Sequence, residues 1–267
     1  MEDYRPTHPK IIQLNNIPQN VQKSQAWLDQ RKKYLTSSDS ATPLNMNSYE
    51  TPEQLLFKKC NAGKPFTGNI ATKWGEKYED EAVEKYCQAM GMKQHEFGLI
   101  PFESVPREAD EIVYEGSSYL AGSPDGIALP LEDLENGEPV LLEVKCPYRR
   151  KIIMGHCPKH YYPQVQLNMY ICGLKKAAFI EYKPSINGSQ MELNIVEFQI
   201  NHNWIKKHVP TIKTFWETVI HYRNIGIENH PQYSKRAWTE EKEKAAQERA
   251  AKKEVKKEAC WLGDDDD

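Results

Sequence analysis

The 267-residue sequence has no apolar run approaching the roughly 20 residues that a membrane-spanning helix needs. Its N-terminal stretch is polar and shows no signal-peptide pattern. There is no C-x-x-C pair among the six cysteines, Cys60, Cys87, Cys146, Cys157, Cys172 and Cys260. These absences argue against a membrane partner, a disulfide framework and paired zinc knuckles, and predict free thiols in a reducing, intracellular setting. A global positive field for nucleic acid is also lacking, because the net charge is −3. From Thr239 to Asp267 there are 7 Lys and Arg against 10 Asp and Glu, a surplus equal to that whole net charge, so the remainder is balanced. Any nucleic-acid site must therefore be a local basic patch. No internal repeat is present, and 39% hydrophobic against 27% charged residues permits one large core with part of the chain solvated.

What is present divides into three expected regions. Residues 1–23, with Pro6, Pro9 and Pro18, read as an extended lead-in. Residues 24–230 read as the main domain. Helices are predicted over Ser24–Tyr34, with Trp27 and Leu28 inward, then Thr51–Lys59, Asn69–Met90, His160–Gly173 and Trp204–Arg223. Extended segments are predicted over Met92–Pro101, Ser118–Ala121, Gly126–Leu129, Val140–Val144, Ala177–Tyr182 and Leu193–Ile200. This order predicts an α/β or α+β fold. Residues 231–267 read as a charged helical extension, Glu240–Lys257, with an acidic tail of four aspartates whose role the residues leave open.

The chemistry concentrates in Gly122–Tyr148. Glu143 and Lys145 are two apart on an apolar strand and share one face, leaving Leu142, Val144 and Cys146 on the other. Asp125 sits in the turn sequence Ser-Pro-Asp-Gly, from which a neighbouring strand could bring it beside Glu143. Two carboxylates at one point repel, and a divalent cation is the natural relief, with hard oxygen donors favouring Mg²⁺ or Mn²⁺. A lysine there can orient a water and offset developing negative charge, which suits phosphodiester hydrolysis. An exposed sheet edge with surface charges and an ordinary turn is the alternative.

Other motifs carry the same pair of readings. Glu79 is placed at the centre of a stripe with Gly75, Ala82, Val83, Tyr86 and Met90, where it is either a buried ligand or a charge reaching solvent. Gln164 shares a helix face with Tyr161, Leu167, Asn168 and Ile171, and a lone Gln there would bond locally. Arg31 by itself reads as a surface arginine. Arg149 and Arg150, with Lys145, Lys151 and Lys159 and interleaved Tyr148, Tyr161 and Tyr162, form the densest basic region, suited to a DNA backbone or to a solvated loop. Zinc through Cys146, His156, Cys157 and His160 is disfavoured by irregular spacing.

Taken together, the segments S-P-D-G, L-L-E-V-K-C-P, W-G-x-x-Y-E around Glu79, Y-Y-P-Q-V-Q and A-W-L-D-Q-R…T-S-S resemble the lambda exonuclease and YqaJ-type viral recombinase group of PD-(D/E)XK nucleases. The resemblance runs from about Ser24 to Tyr182, with Pro163 before Gln164 and T-S-S for the family's T-A-S as departures. It implies a restriction-endonuclease-like core, a central mixed β-sheet flanked by helices. It implies a magnesium-dependent 5′-to-3′ exonuclease on double-stranded DNA ends, serving recombination or replication of a virus or phage. Asp125, Glu143 and the Val144 carbonyl would hold metal, two ions per site, with Glu79 as a further acidic member. Lys145 and Gln164 would position the attacking water, Tyr161 would line the site, and Arg31 and Ser38 would grip a terminal 5′-phosphate. A homotrimer and a single-strand annealing partner are implied as well. An endonuclease on the same core, or a non-catalytic DNA-end-binding scaffold, are the competing readings.

Overall fold

The computed structural model describes residues 6–63, 68–107, 111–186 and 188–234. Cys260, the Glu240–Lys257 helix and the acidic tail lie outside the described residues. The chain divides into two units, residues 1–218 and 219–267. Among the described residues no helix is long and apolar enough to cross a membrane.

The expected extended lead-in is corrected. Helix α1 covers Pro9–Asn15 and buries Ile11 and Leu14, with Ile17 buried just beyond it. Pro9 stands at the helix start, where its missing N–H costs nothing, and His8 Nδ1 accepts from Lys10 N at 3.1 Å. Burying aliphatic side chains of this size stabilises by about 1.5–3 kcal/mol each, which anchors the segment despite its prolines.

Helix α2, Gln25–Lys32, is capped by Ser24, and leads into strand β1, Leu35–Thr36. Leu28 is exposed rather than inward, and Trp27 is only half-buried. Helix α3, Pro52–Lys59, starts with a capping box between Thr51 and Gln54. Helix α4, Ile70–Met90, is capped by Asn69 and stopped by Gly91 in the left-handed conformation. Short strands β2, Met92–His95, β3, Ile100–Pro101, and β4, Leu120–Gly122, follow. Then come β5, Gly126–Pro130, and β6, Val140–Lys145. Helix α5, Tyr162–Cys172, leads to β7, Lys176–Lys183, β8, Glu192–Gln199, and helix α6, His202–Ile225. In the second unit a short 3-10 turn, Ile227–Asn229, follows the end of α6.

The strands form two sheets. The larger is mixed, in the order β2-β5-β6-β7-β8, with β6 and β7 parallel and the other pairs antiparallel. The smaller is β1-β4-β3. Helix α5 makes the crossover that parallel β6 and β7 require. Central β6 is covered on both faces. Leu142, Val144 and Cys146 meet Tyr78, Ala82, Val83 and Tyr86 of α4. The opposite face, with Leu141 and Glu143, lies under α5, and both of these residues are fully buried.

Candidate active site

Asp125 precedes β5 and is tied to β6 by backbone geometry. Its N–H donates to the Leu142 carbonyl at 3.1 Å, and its Oδ2 accepts from Val144 N at 2.7 Å. Gln94 Nε2 holds the Asp125 carbonyl at 3.2 Å, and Gln22 Nε2 holds the carbonyl of Pro124 at 3.2 Å. The Ser-Pro-Asp-Gly turn is thus fastened to the strand carrying Glu143.

Glu143 is completely buried. Its Oε1 accepts from Lys145 Nζ, and its Oε2 accepts from Asn168 Nδ2 at 3.2 Å. Burial pushes the Glu143 carboxyl upward, Asp125 and Glu79 add to the push, and Lys145 opposes it. Burial alone would pull the Lys145 ammonium down, yet Glu143 and Asp125 outweigh burial and hold it above the usual lysine range. Lys145 Nζ also donates to the Val144 carbonyl at 2.9 Å and lies 5.4 Å from the Tyr161 ring centroid. Charged and hydrogen-bonded groups thus converge at the C-terminal end of β6.

Glu79 joins this neighbourhood from α4, on the same side of the helix as Ala82, Val83 and Tyr86. Tyr78, Ala82, Val83 and Tyr86 are buried, Met90 is exposed, and Glu79 is half-buried where the helix borders Asp125 and Lys23. At about 100° per residue Glu79 falls between Tyr86 and Val83 on the helix circumference, so the expected stripe holds except at Met90 in the last turn. Burial raises the Glu79 pKa and Asp125 raises it further, while Lys23 and Lys145 lower it. Its Oε2 stands 3.7 Å from Lys23 Nζ.

Gln164 is half-buried in the first turn of α5 and makes no side-chain hydrogen bond among the described residues. One turn on, Asn168 is the α5 residue that reaches Glu143. Gln166 is structural: it bonds Gln199 O at 3.1 Å and Asn201 N at 2.7 Å. Tyr161 packs on Phe179 at 5.3 Å between ring centroids.

Arg31 and Ser38 are brought together as expected. Arg31 Nη2 donates to Ser38 Oγ at 2.8 Å and Thr36 Oγ1 at 3.2 Å, and its guanidinium lies 4.5 Å from the Trp27 ring. Beneath them Asp39 is buried and paired with Lys59 at 2.7 Å. Burial would raise the Asp39 carboxyl, but Lys59, Lys58 and Arg31 together hold it far below the usual range. Thr36 Oγ1, which accepts from Arg31, donates to Asp39 Oδ2 at 2.7 Å and so ties this pair to Arg31.

Arg149 and Arg150 part company. Arg149 is exposed and lies 5.5 Å from the Tyr148 ring. Arg150 is ion-paired with fully buried Glu181, whose other oxygen accepts from Asn194 Nδ2 at 3.0 Å. Asn194 in turn holds Gly155 N at 2.8 Å and His156 O at 3.0 Å. Glu181 and Asn194 therefore staple the basic loop to the sheet. Glu181 pairs in register with Lys145 on the adjacent strand. Sequence reasoning missed Asn168, Glu181, Asn194, Asp39 and Lys23. Only Asn168 had a visible signal, its shared face with Gln164.

Among the described residues no three His, Cys, Asp or Glu side chains stand close enough to cage an ion by themselves. A magnesium-sized ion does not need such a cage, since it keeps several waters and takes one or two carboxylates. The mutually repelling hard-oxygen donors Asp125 and Glu143 fit that requirement. Cys146 packs in the α4 core, and Cys157 Sγ donates to Pro158 O at 3.6 Å.

This arrangement has counterparts. Residues 26–175 match the family described as YqaJ-like viral recombinase domain. An uncharacterized protein of Acanthamoeba polyphaga mimivirus is 29% identical over 196 residues, covering 68% of this chain and 34% of that protein. A protein of African swine fever virus is 26% identical over 166 residues, covering 54% of this chain and 44% of that one. The chain spans less than half the length of these relatives. The fold is similar to LHK-Exo in complex with dAMP, with a TM-score of 0.58, 20% identity, and 76% of this chain and 95% of that one covered. It is also similar to the alkaline exonuclease LHK-Exo from Laribacter hongkongensis, with a TM-score of 0.55, 20% identity, and coverage of 81% and 99%. The mixed sheet flanked by helices is thus the fold of solved exonucleases. With its signature strands, turn and helices all inside the matched span, the chain belongs to the YqaJ-like viral recombinase domain family.

Proposed function

We propose that this chain is a magnesium-dependent deoxyribonuclease that degrades one strand of duplex DNA from a 5′ end. The observation that carries the reading is the buried Glu143–Lys145 pair, held against Asp125 through the Val144 N–H. A fully buried carboxylate is costly for a fold that gains nothing from it. The family match and the exonuclease neighbours support the same reading.

Asp125, Glu143 and the Val144 carbonyl would hold Mg²⁺, or Mn²⁺ in its place, and Glu79 would serve a second ion. When bound, such an ion supplies charge neutralisation and a more acidic water. Lys145 Nζ, one strand position from the Val144 carbonyl, orients the attacking water and offsets charge on the phosphoryl oxygens. Asn168 holds Glu143 from behind. Gln164 is free to bond the water or a phosphate oxygen. Attack in line on phosphorus breaks the P–O3′ bond, leaving a 3′-hydroxyl and a new 5′-phosphate. Arg31 and Ser38 receive the terminal 5′-phosphate, and Arg149 and Tyr148 meet the backbone of the duplex. The family resemblance extends the reading to an intracellular enzyme acting as a homotrimer with a strand-annealing partner.

The test is a time course on duplex DNA labelled separately at each 5′ and 3′ end, with Mg²⁺, alongside a closed circular duplex. The linear duplex should shorten from its 5′ ends and the circle should survive. Lys145→Ala should abolish cutting while the circular-dichroism spectrum persists. Full activity in Lys145→Ala would sink the assignment.

A further inference from the structure

Lys23 adopts φ +66°, a left-handed backbone that costs a residue with a Cβ about 1–2 kcal/mol. Among the described residues only two other non-glycine residues have positive φ, Asn45 and Asn61, and asparagine tolerates it. The turn is tied down on both sides. On one side Gln22 Nε2 donates to the Phe97 carbonyl at 2.7 Å and the Pro124 carbonyl at 3.2 Å. On the other, Ser24 caps α2. The ion pair with Glu79 does not repay the strain: the Lys23 side chain is 53% exposed, and such pairs contribute about 0–1 kcal/mol. Stability alone would favour glycine here.

Position supplies the missing reason. Two clefts meet at Lys23 and Glu79. One, of about 540 Å³, reaches Asp125 between the Asn15–Lys23 segment and Gln94–Gly98. The other, of about 500 Å³, runs from the start of α4 past Lys145 to Tyr161. Lys23 is the sole lysine or arginine among the described residues lining the first cleft, whose walls carry Glu79, Asp80, Glu96 and Asp125. A nucleic-acid strand crossing there would face four carboxylates without it.

We propose that Lys23 grips a backbone phosphate of the bound DNA strand where the two clefts meet. The ammonium exchanges Glu79 for the phosphate, and no covalent bond changes. The proposal rests on the nuclease reading. The test measures binding of a duplex with a 5′-phosphorylated overhang across a salt series, with Ca²⁺ replacing Mg²⁺ to prevent cutting. Lys23→Gly and Lys23→Asn should weaken binding several-fold, with a salt slope shallower by about 0.7–0.9. Melting temperature should not fall, because both residues suit the turn, and Lys23→Arg should keep most of the affinity. Wild-type affinity and slope in the glycine and asparagine variants would overturn the proposal. So would a binding loss matched by a fall in melting temperature, which would mark a structural role. A wild-type protein that neither binds nor cuts DNA would instead remove the nuclease reading, and this proposal with it.

Discussion

Asn168 and Gly122 are fitted to each other. The Asn168 amide donates to Glu143 Oε2 at 3.2 Å, and its Oδ1 lies 2.6 Å from where a Cβ on Gly122 would stand. Oδ1 is buried and has no hydrogen-bond partner among the described residues. The amide cannot turn over without aiming an oxygen at a carboxylate, so its orientation is set by Glu143. The absence of a side chain at Gly122 is what lets it sit there.

Gly122→Ala should therefore displace the amide and, through it, Glu143. With Glu143 in its proposed role as a metal ligand, losing this supporting bond should lower activity or metal affinity about 10–100-fold. Titrating Mn²⁺ by electron paramagnetic resonance reads the affinity without turnover. Asn168→Asp, which puts a carboxylate against Glu143, should be worse than Asn168→Ala. Equal Mn²⁺ binding in all three variants and the wild type would show that the amide positions nothing.

The Asp39–Lys59 pair predicts acid-sensitive stability. The folded-state pKa of Asp39 is depressed, so its contribution to stability is full above the ordinary carboxylate value of 3.8 and is lost as pH falls below it. Urea midpoints from pH 6 to pH 2 should drop steeply below about pH 4 in the wild type. Asp39→Asn should flatten that drop. It should also cost about 3–5 kcal/mol at neutral pH, because the buried Lys59 ammonium loses its carboxylate and is left to neutral partners such as the Arg31 and Tyr34 carbonyls. An unchanged acid slope in Asp39→Asn would assign the sensitivity elsewhere.

Arg31, the proposed grip on the terminal 5′-phosphate, donates to Ser38 Oγ at 2.8 Å. Charge-assisted hydrogen bonds contribute about 1.5–3 kcal/mol, so a 5′-phosphate should raise kcat/KM roughly 10- to 150-fold over a 5′-hydroxyl end. Arg31→Ala should erase that ratio while leaving 5′-hydroxyl ends cut at nearly the wild-type rate. Competition between the two ends in one tube measures the ratio directly. Equal cutting of both ends by the wild type would refute the pocket.

Local rules carried the strands and helices a long way. Asn69, Thr51 and Ser24 each cap the helix assigned to them, because a capping bond joins residues two or three apart and needs no tertiary partner. The alternation along Val140–Lys145 correctly put Leu142, Val144 and Cys146 on one face. It did not reveal that the opposite face is buried too, since period two distinguishes the faces without saying what covers each. The α1 helix was hidden by its prolines, although Pro9 stands where a helix accepts one.

The site divides along the same line. Asp125, Glu143 and Lys145 were legible because a charged pair in an apolar strand and a turn carboxylate are anomalies of local pattern. Asn168 on Glu143, Glu181 on Arg150, Asp39 on Lys59 and Lys23 on Glu79 were not, because each joins residues from separate elements. A sequence by itself determines which groups need a partner, for that follows from the cost of burying charge. Which partner answers is decided only when packing brings distant segments within the few ångströms over which a hydrogen bond or an ion pair acts.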